Sequence, residues 1–345
     1  MTFKTTKCKI MVLNGKYDGV PFTFNNDILE VVTSYKYLGV TLSSKYITNF
    51  FKNHFSSILE RARSRAALIS RYGFHQDGLR LESAIRLYKL VVRPILEYCA
   101  QVITHARYSE SFQPDKIPGF AKDLEHFQTQ TLKRLINCPR STSPAVVRLF
   151  CGVEPLTCRF EFLKVRYFWK LLHGSTDTVA HKFLIHRKRN LLDYTKGFAR
   201  EVFNICCKYD AIHIWNGIVK GNLNPLRSIK KIIISANLRK DLETGRTRIC
   251  SFANIFLSNA FRYQKTYHIV EPLRQIGYFK SPDARKRFFK ALLHPCSYPE
   301  ECSLCGQKHK DMLGHFLSTC SRISELRKTL NLKLALYNYP KDHLP

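Results

Sequence analysis

The sequence predicts a mostly α-helical chain with a small antiparallel β segment at its N-terminus. Three observations carry this. Over residues 1–45 the apolar side chains come in short runs between turn signals. From Ile47 onward they recur every three or four positions, which is the period of an amphipathic helix. Hydrophobic residues make up 45% and aromatics 12% of 345 residues, enough to fill more than one core.

The β segment reads as four short strands: Lys9 to Leu13, Val20 to Phe24, Ile28 to Thr33 and Tyr37 to Leu42. Asn14-Gly15 and Asn25-Asn26-Asp27 supply the turns between them. Four such strands are too few for an independent sheet, so an uncovered edge around Tyr37 and a tendency to self-associate are expected. The first helix then places Phe51, Phe55, Ile58, Ala62, Ala66 and Ile69 on one face and stops at Gly73. A second helix is expected from Gly78 to Val102, with Leu81, Ile85, Tyr88, Val92, Ile95 and Cys99 on one face and a kink at Pro94. A polar stretch, Tyr108 to Gly119, separates this pair from the later helices. Those are expected over Lys122 to Asn137, Thr157 to His173, Gly197 to Val219 and Ala284 to Leu293. Pro139, Pro144, Pro155, Pro225 and Pro282 read as punctuation between segments. The resulting division is residues 1–45 (β), 46–107 (helical pair), 120–280 (helical connecting region) and 281–338 (a cysteine-containing unit).

Charge narrows the function classes. There are 56 Lys and Arg against 26 Asp and Glu, a formal net charge of +30. Such an excess repels itself and is usually kept for a polyanionic partner. The alternative is a surface charged only for solubility, although such surfaces mix both signs. No apolar run approaches the roughly 20 residues of a membrane span, and no signal peptide opens the chain. The expectation is an intracellular protein with reduced thiols and no membrane partner. Most of its 12 cysteines, Cys99 and Cys158 among them, then read as small core hydrophobes.

One cluster has ligand spacing. Cys302, Cys305, His315 and Cys320 form C-x2-C-x9-H-x4-C, followed at the first pair by Gly306. Two cysteines two residues apart can aim both sulfurs at one ion from a tight turn, and Gly306 gives that turn its backbone freedom. Four Cys and His ligands with no open position describe a structural zinc site. His309 and Cys296 are rival donors, and a chance grouping in a cysteine-rich chain is the alternative. Basic residues flank the cluster: Arg285, Lys286 and Arg287 before it, and Lys308 and Lys310 inside it. That arrangement suits contacts to backbone phosphates, although a solvated charged face is the plainer reading.

Three further stretches carry a resemblance. Lys7-Cys8 with Met11, then Ser34-Tyr35-Lys36-Tyr37-Leu38-Gly39-Val40, then Arg93-Pro94-Ile95-Leu96-Glu97-Tyr98, resemble in order the palm end, the following hairpin and the thumb of non-LTR (LINE-type) retrotransposon reverse transcriptases. Trp169 within Phe160 to His173, and the Cys302 to Cys320 knuckle, resemble the C-terminal segment of the same proteins. The likeness is collinear over roughly residues 1–320, with short motifs, and residues 175–280 carry little of it. It implies that Tyr37, Leu38 and Gly39 act as a primer-grip-like hairpin and that the helices after it form a thumb tracking an RNA–DNA duplex. Arg61 and Arg65 would then contact phosphates. The plainer alternatives are sheet core for Tyr37 and Leu38, and a solvated helix face for the two arginines.

The resemblance also implies a missing activity. A polymerase holds two metal ions between clustered carboxylates that include an adjacent Asp pair. This chain has no Asp-Asp, and its only adjacent acidic pair is Glu300-Glu301. In the family the Asp pair precedes the segment matched here by Lys7-Cys8. The chain is therefore expected to be a fragment or a decayed copy without polymerase activity. Its partners would be RNA, an RNA–DNA duplex or target DNA, together with the catalytic part of the same element, in the nucleus. Walker A, GxGxxG, GxSxG and HExxH patterns are all absent from the sequence. The rival reading is a structural or protein-interaction remnant with no significant nucleic-acid binding.

Overall fold

The computed structural model describes residues 4–13, 15, 17–44, 51–73, 81–102, 119–138, 140–182, 198–220, 225–248, 267, 300–301, 305–309 and 321–325. Among these, helix predominates and strands are short.

The N-terminal strands pair two at a time. β1 (Lys9–Ile10) lies parallel to β4 (Glu30–Val31), with Lys9 opposite Glu30 and their charged ends paired. β2 (Thr23–Phe24) and β3 (Asp27–Ile28) form an antiparallel hairpin. Its two turn residues, Asn25 and Asn26, have φ of 50° and 65°. Asparagine tolerates this left-handed region, so the Asn-Asn signal marks the turn correctly. The expectation of a purely antiparallel segment fails at β1 and β4. The β2–β3 hairpin lies between them in sequence, and after it the chain returns in its original direction. The expected strand Tyr37 to Leu42 is also corrected. It spans a hairpin turn at Leu38 and Gly39, with β5 (Ser34–Tyr37) antiparallel to β6 (Val40–Ser43).

The helical chain forms two compact units. One comprises Met1–Leu68, Tyr88–Phe127 and Leu156–Lys230; the other comprises Ile69–Leu87, Gln128–Pro155 and Lys231–Pro345. Helix α1 (Lys52–Gly73) buries Phe55, Ile58, Ala62, Ala66 and Ile69 of the face expected from periodicity, whereas Phe51 lies just before the helix and is half-buried, and His54 is buried in addition. The second expected helix is divided. α2 (Leu81–Leu87) runs into π-helix over Tyr88–Val92 and then into α3 (Arg93–Glu97). Its buried positions are Ala84, Ile85, Tyr88, Val92 and Leu96, and from Ala84 to Leu96 a buried side chain recurs every fourth residue. That spacing exceeds the 3.6 residues of an α-turn, and the wider π-turn takes up the drift. Pro94, which has no N–H to donate, sits in the first turn of α3, where none is required. Helix ends at Glu97 rather than Val102, because Tyr98 is extended and Cys99 has φ 61°. Cys99 is accordingly half-buried and not a core residue, whereas Cys158 is buried.

In the first unit, α6 (Leu156–His173), α7 (Phe198–Lys208) and α8 (Ile212–Lys220) pack in sequence. Phe168 stacks on Trp215 at 5.4 Å, and Phe203 meets the same indole edge-on at 5.5 Å. Val165, Val202, Ile214 and Ile218 fill the space around them. The single helix expected over Gly197 to Val219 is therefore two, broken where Asp210 has φ 52°. Glu125, on α4 (Gly119–Ile136), accepts a 2.7 Å bond from the Leu156 amide and so caps α6.

In the second unit, α5 (Pro144–Cys151) is nearly all core, with Ala145, Val146, Val147, Leu149, Phe150 and Cys151 buried. Gly152, at φ 57°, closes it with the reversed amide bonds of a left-handed cap. α9 (Pro225–Arg248) contributes Ile233 and Leu238 to this unit. Both helices begin at a proline that reads as punctuation in the sequence. The same residue that stops one segment is favoured at the first position of the next. Arg148 grips Asp241 through two bonds of 2.8 and 2.6 Å, and Tyr267 donates to the same carboxylate at 2.8 Å. Most of the stretch Tyr108 to Gly119 and the helix expected over Ala284 to Leu293 lie outside the described residues.

Candidate nucleic-acid interface

The β5–β6 hairpin turns on Leu38 and Gly39, with φ of 46° and 82°. Two positive φ values make the turn whose twist matches a β-hairpin. Glycine takes this conformation freely, but leucine pays roughly 1–2 kcal/mol for it. Neither Tyr37 nor Leu38 is sheet core: they are 59% and 75% exposed. The tip therefore projects an aromatic and an aliphatic side chain into solvent.

Tyr98, 60 residues further on, holds this tip from beneath. Its hydroxyl donates to the Leu38 carbonyl at 2.6 Å. Its ring lies so close under Gly39 that a Cβ there would fall 3.0 Å from the hydroxyl and 3.3 Å from Cε1. Glycine at 39 is thus required twice, by backbone conformation and by space. Tyr98 is itself fixed from two sides. Just before it, Glu97 accepts a bidentate pair from Arg159 at 2.8 and 3.0 Å and a further contact from Arg93 at 3.4 Å. Below it, His54 of α1 is buried, bonds the Tyr98 backbone and sets its ring 6.3 Å from the tyrosine ring. Burial pushes the His54 pKa down, the bond to Tyr98 partly opposes this, and Arg61 adds to the lowering. Its Nε2 is buried with no hydrogen-bond partner among the described residues.

Arg61, Arg63 and Arg65 stand exposed on α1, the helix that carries His54. Arg61 leans on its own helix, donating to the Ser57 carbonyl at 3.4 Å. None of the three pairs with a carboxylate among the described residues. Meanwhile Glu97, Glu125, Glu161, Glu201 and Asp241 are turned inward onto arginines, lysines or a helix terminus. Each internal ion pair withdraws a cation together with its acid, so the outward net charge is unchanged while cations form a larger share of the charged groups left outside.

Part of the cysteine cluster is described. β7 (Glu300–Glu301) and β8 (Lys308–His309) form an antiparallel hairpin, Glu301 opposite Lys308. Cys305 lies in its turn and Gly306 has φ 72°, the freedom that the two-cysteine turn demands. Lys308 is exposed. Cys302, His315 and Cys320 lie outside the described residues, as do Arg285, Lys286, Arg287 and Lys310. Among the described residues no three His, Cys, Asp or Glu side chains converge on a common point. No described helix is long and apolar enough to cross a membrane.

No protein-family model, characterised protein or solved structure matches the chain. The structure does bring together the two motifs read separately in the sequence, at Leu38, Gly39 and Tyr98. It adds Arg63 and Arg159, which sequence reasoning passed over, and His54, which in the sequence reads as an ordinary helix residue. Arg63 could have been found from the Arg-x-Arg-x-Arg run. His54 and Arg159 reach Tyr98 and Glu97 through tertiary packing and carry no local signal.

Proposed function

We propose that this chain is a nucleic-acid-binding segment of the non-LTR retrotransposon reverse-transcriptase type, without polymerase activity of its own. The observation that carries the reading is the projecting Tyr37-Leu38 tip, held by Tyr98, in the same unit as the exposed arginine row of α1, which pairs with no carboxylate among the described residues. Exposed aromatic and apolar side chains together with exposed guanidinium groups suit a polynucleotide, whose bases stack and whose phosphates pair. The arginines supply affinity that is largely insensitive to sequence, and the tip supplies orientation. The hairpin around Cys305 supports a zinc knuckle in which Cys302, Cys305, His315 and Cys320 hold the ion. Zinc there folds the unit and sets Lys308 and Lys310 toward phosphate. The absence of an Asp-Asp pair from the chain supports a non-catalytic role. RNA, an RNA–DNA duplex or target DNA in the nucleus would be the partner, alongside the catalytic part of the same element.

The test is a titration of labelled structured RNA, followed by fluorescence anisotropy at several salt concentrations, with Cys302→Ser in parallel. Binding with log affinity falling linearly against log salt, weakened in the variant, is expected. Absence of binding by both proteins at low salt refutes the reading and favours a purely structural remnant.

A further inference from the structure

We propose that Tyr98 is a positioning residue whose hydroxyl latches the β5–β6 turn, so that Tyr37 and Leu38 meet a nucleic-acid strand in one preset orientation. The positioning role rests on the nucleic-acid reading above; the latch itself does not.

The hairpin needs an anchor. Ser34–Tyr37 and Val40–Ser43 pair only with each other among the described strands, and an isolated two-stranded hairpin is marginally stable in water. Its turn also carries a leucine in the left-handed region, a conformer that leaves readily without support. Two tyrosines hold it at opposite ends. Tyr35, near the base, donates to the Lys7 carbonyl at 3.2 Å. Tyr98, at the tip, donates at 2.6 Å to the carbonyl of Leu38, the residue that the turn strains. Tyr98 can act as a fixed point because Glu97 and His54 immobilise its own backbone. The latched tip presents its two most exposed side chains with their ordering entropy already lost in the free protein. Preorganisation of this kind raises affinity without adding a contact.

Tyr98→Phe removes the hydroxyl and keeps the ring under Gly39. Hydrogen exchange of the free protein, read by mass spectrometry, should show amides of residues 34–43 exchanging about fivefold faster, the change that one ordinary hydrogen bond commands. Amides of α4 and α7 should be unaltered. RNA affinity should fall by about the same factor at every salt concentration, with the salt slope unchanged, because every phosphate-binding side chain is still present. In a Tyr37→Ala background the second substitution should cost clearly less, since of the two side chains that Tyr98 orients only Leu38 remains. Unchanged exchange over residues 34–43 overturns the latch. A loosened hairpin with unchanged affinity, or a loss that recurs in full beside Tyr37→Ala, overturns the positioning role. If the wild-type chain binds no RNA, that role falls together with the nucleic-acid reading, and the exchange measurement alone decides the latch.

Discussion

Lys164 offers the sharpest test of the packing of α6 against α7. Its side chain is 2% exposed, and Nζ lies 2.6 Å from Glu201 Oε2, whose own side chain is 13% exposed. Glu201→Gln keeps the shape and removes the compensating charge. For an exposed pair this would cost about 0–1 kcal/mol. For a buried pair, removing one partner costs about 3–5 kcal/mol because the other charge is stranded. Burial decides for the larger figure, and Glu161, a second carboxylate that favours the charged lysine, places it toward 3 kcal/mol. At roughly 2–4 °C per kcal/mol for a unit of this size, Tm should fall by at least 6 °C. Burial lowers the Lys164 pKa from its ordinary 10.5 against the pull of Glu201. The unfolded chain therefore holds this proton to higher pH than the folded one, and stability rises with pH in the window below 10.5. Without Glu201 the folded pKa drops further, so the variant should recover part of its loss between neutral pH and pH 9.5. Pairing Glu201→Leu with Lys164→Met should restore most of the stability. Differential scanning calorimetry at both pH values checks this. A loss below about 2 °C that is independent of pH would mean that the ammonium reaches water, and the burial argument would fail.

Substituting Arg61 and Arg65 with alanine should reduce the slope of log affinity against log salt by about 2, one for each phosphate left without its arginine, while melting is unchanged. Chelation of zinc should release a single equivalent of metal, detected with a chromogenic dye, and expose the chain around Cys305 to protease; Cys302→Ser should hold no zinc from the outset. His54 has its pKa lowered in the fold, so the unfolded chain takes up its proton first as pH falls. Stability from this residue is complete above its ordinary value of 6.5 and declines below it, and His54→Phe should flatten urea midpoints measured between pH 5 and 7. Gly39→Ala should cost about 1–3 kcal/mol, from positive φ and from contact with Tyr98, and chemical denaturation would show it.

Local periodicity alone determined a good deal of this protein. The buried face of α1 was readable from Phe55 to Ile69, apart from His54 and Phe51, because an apolar residue every three or four positions has one way to leave water in a helix. The Asn25-Asn26 turn was readable too, since asparagine is among the few residues at ease at positive φ. Two classes of feature were not. Prolines carry opposite meanings at a helix end and a helix start, so α5 and α9 were hidden behind Pro144 and Pro225. Leu38 at positive φ gave no signal, because nothing in a leucine favours that conformer; Tyr98, far along the chain, holds it there. In the cysteine cluster, spacing proposes Cys302, Cys305, His315 and Cys320 as zinc ligands; of these Cys305 lies among the described residues, in a hairpin turn. Sequence set which faces are apolar and how much positive charge there is to place. Tertiary packing decided which carboxylates turn inward, which arginines stand exposed and which strained turn is held in place. Those outcomes depend on contacts between residues distant in the chain, and no local pattern encodes them.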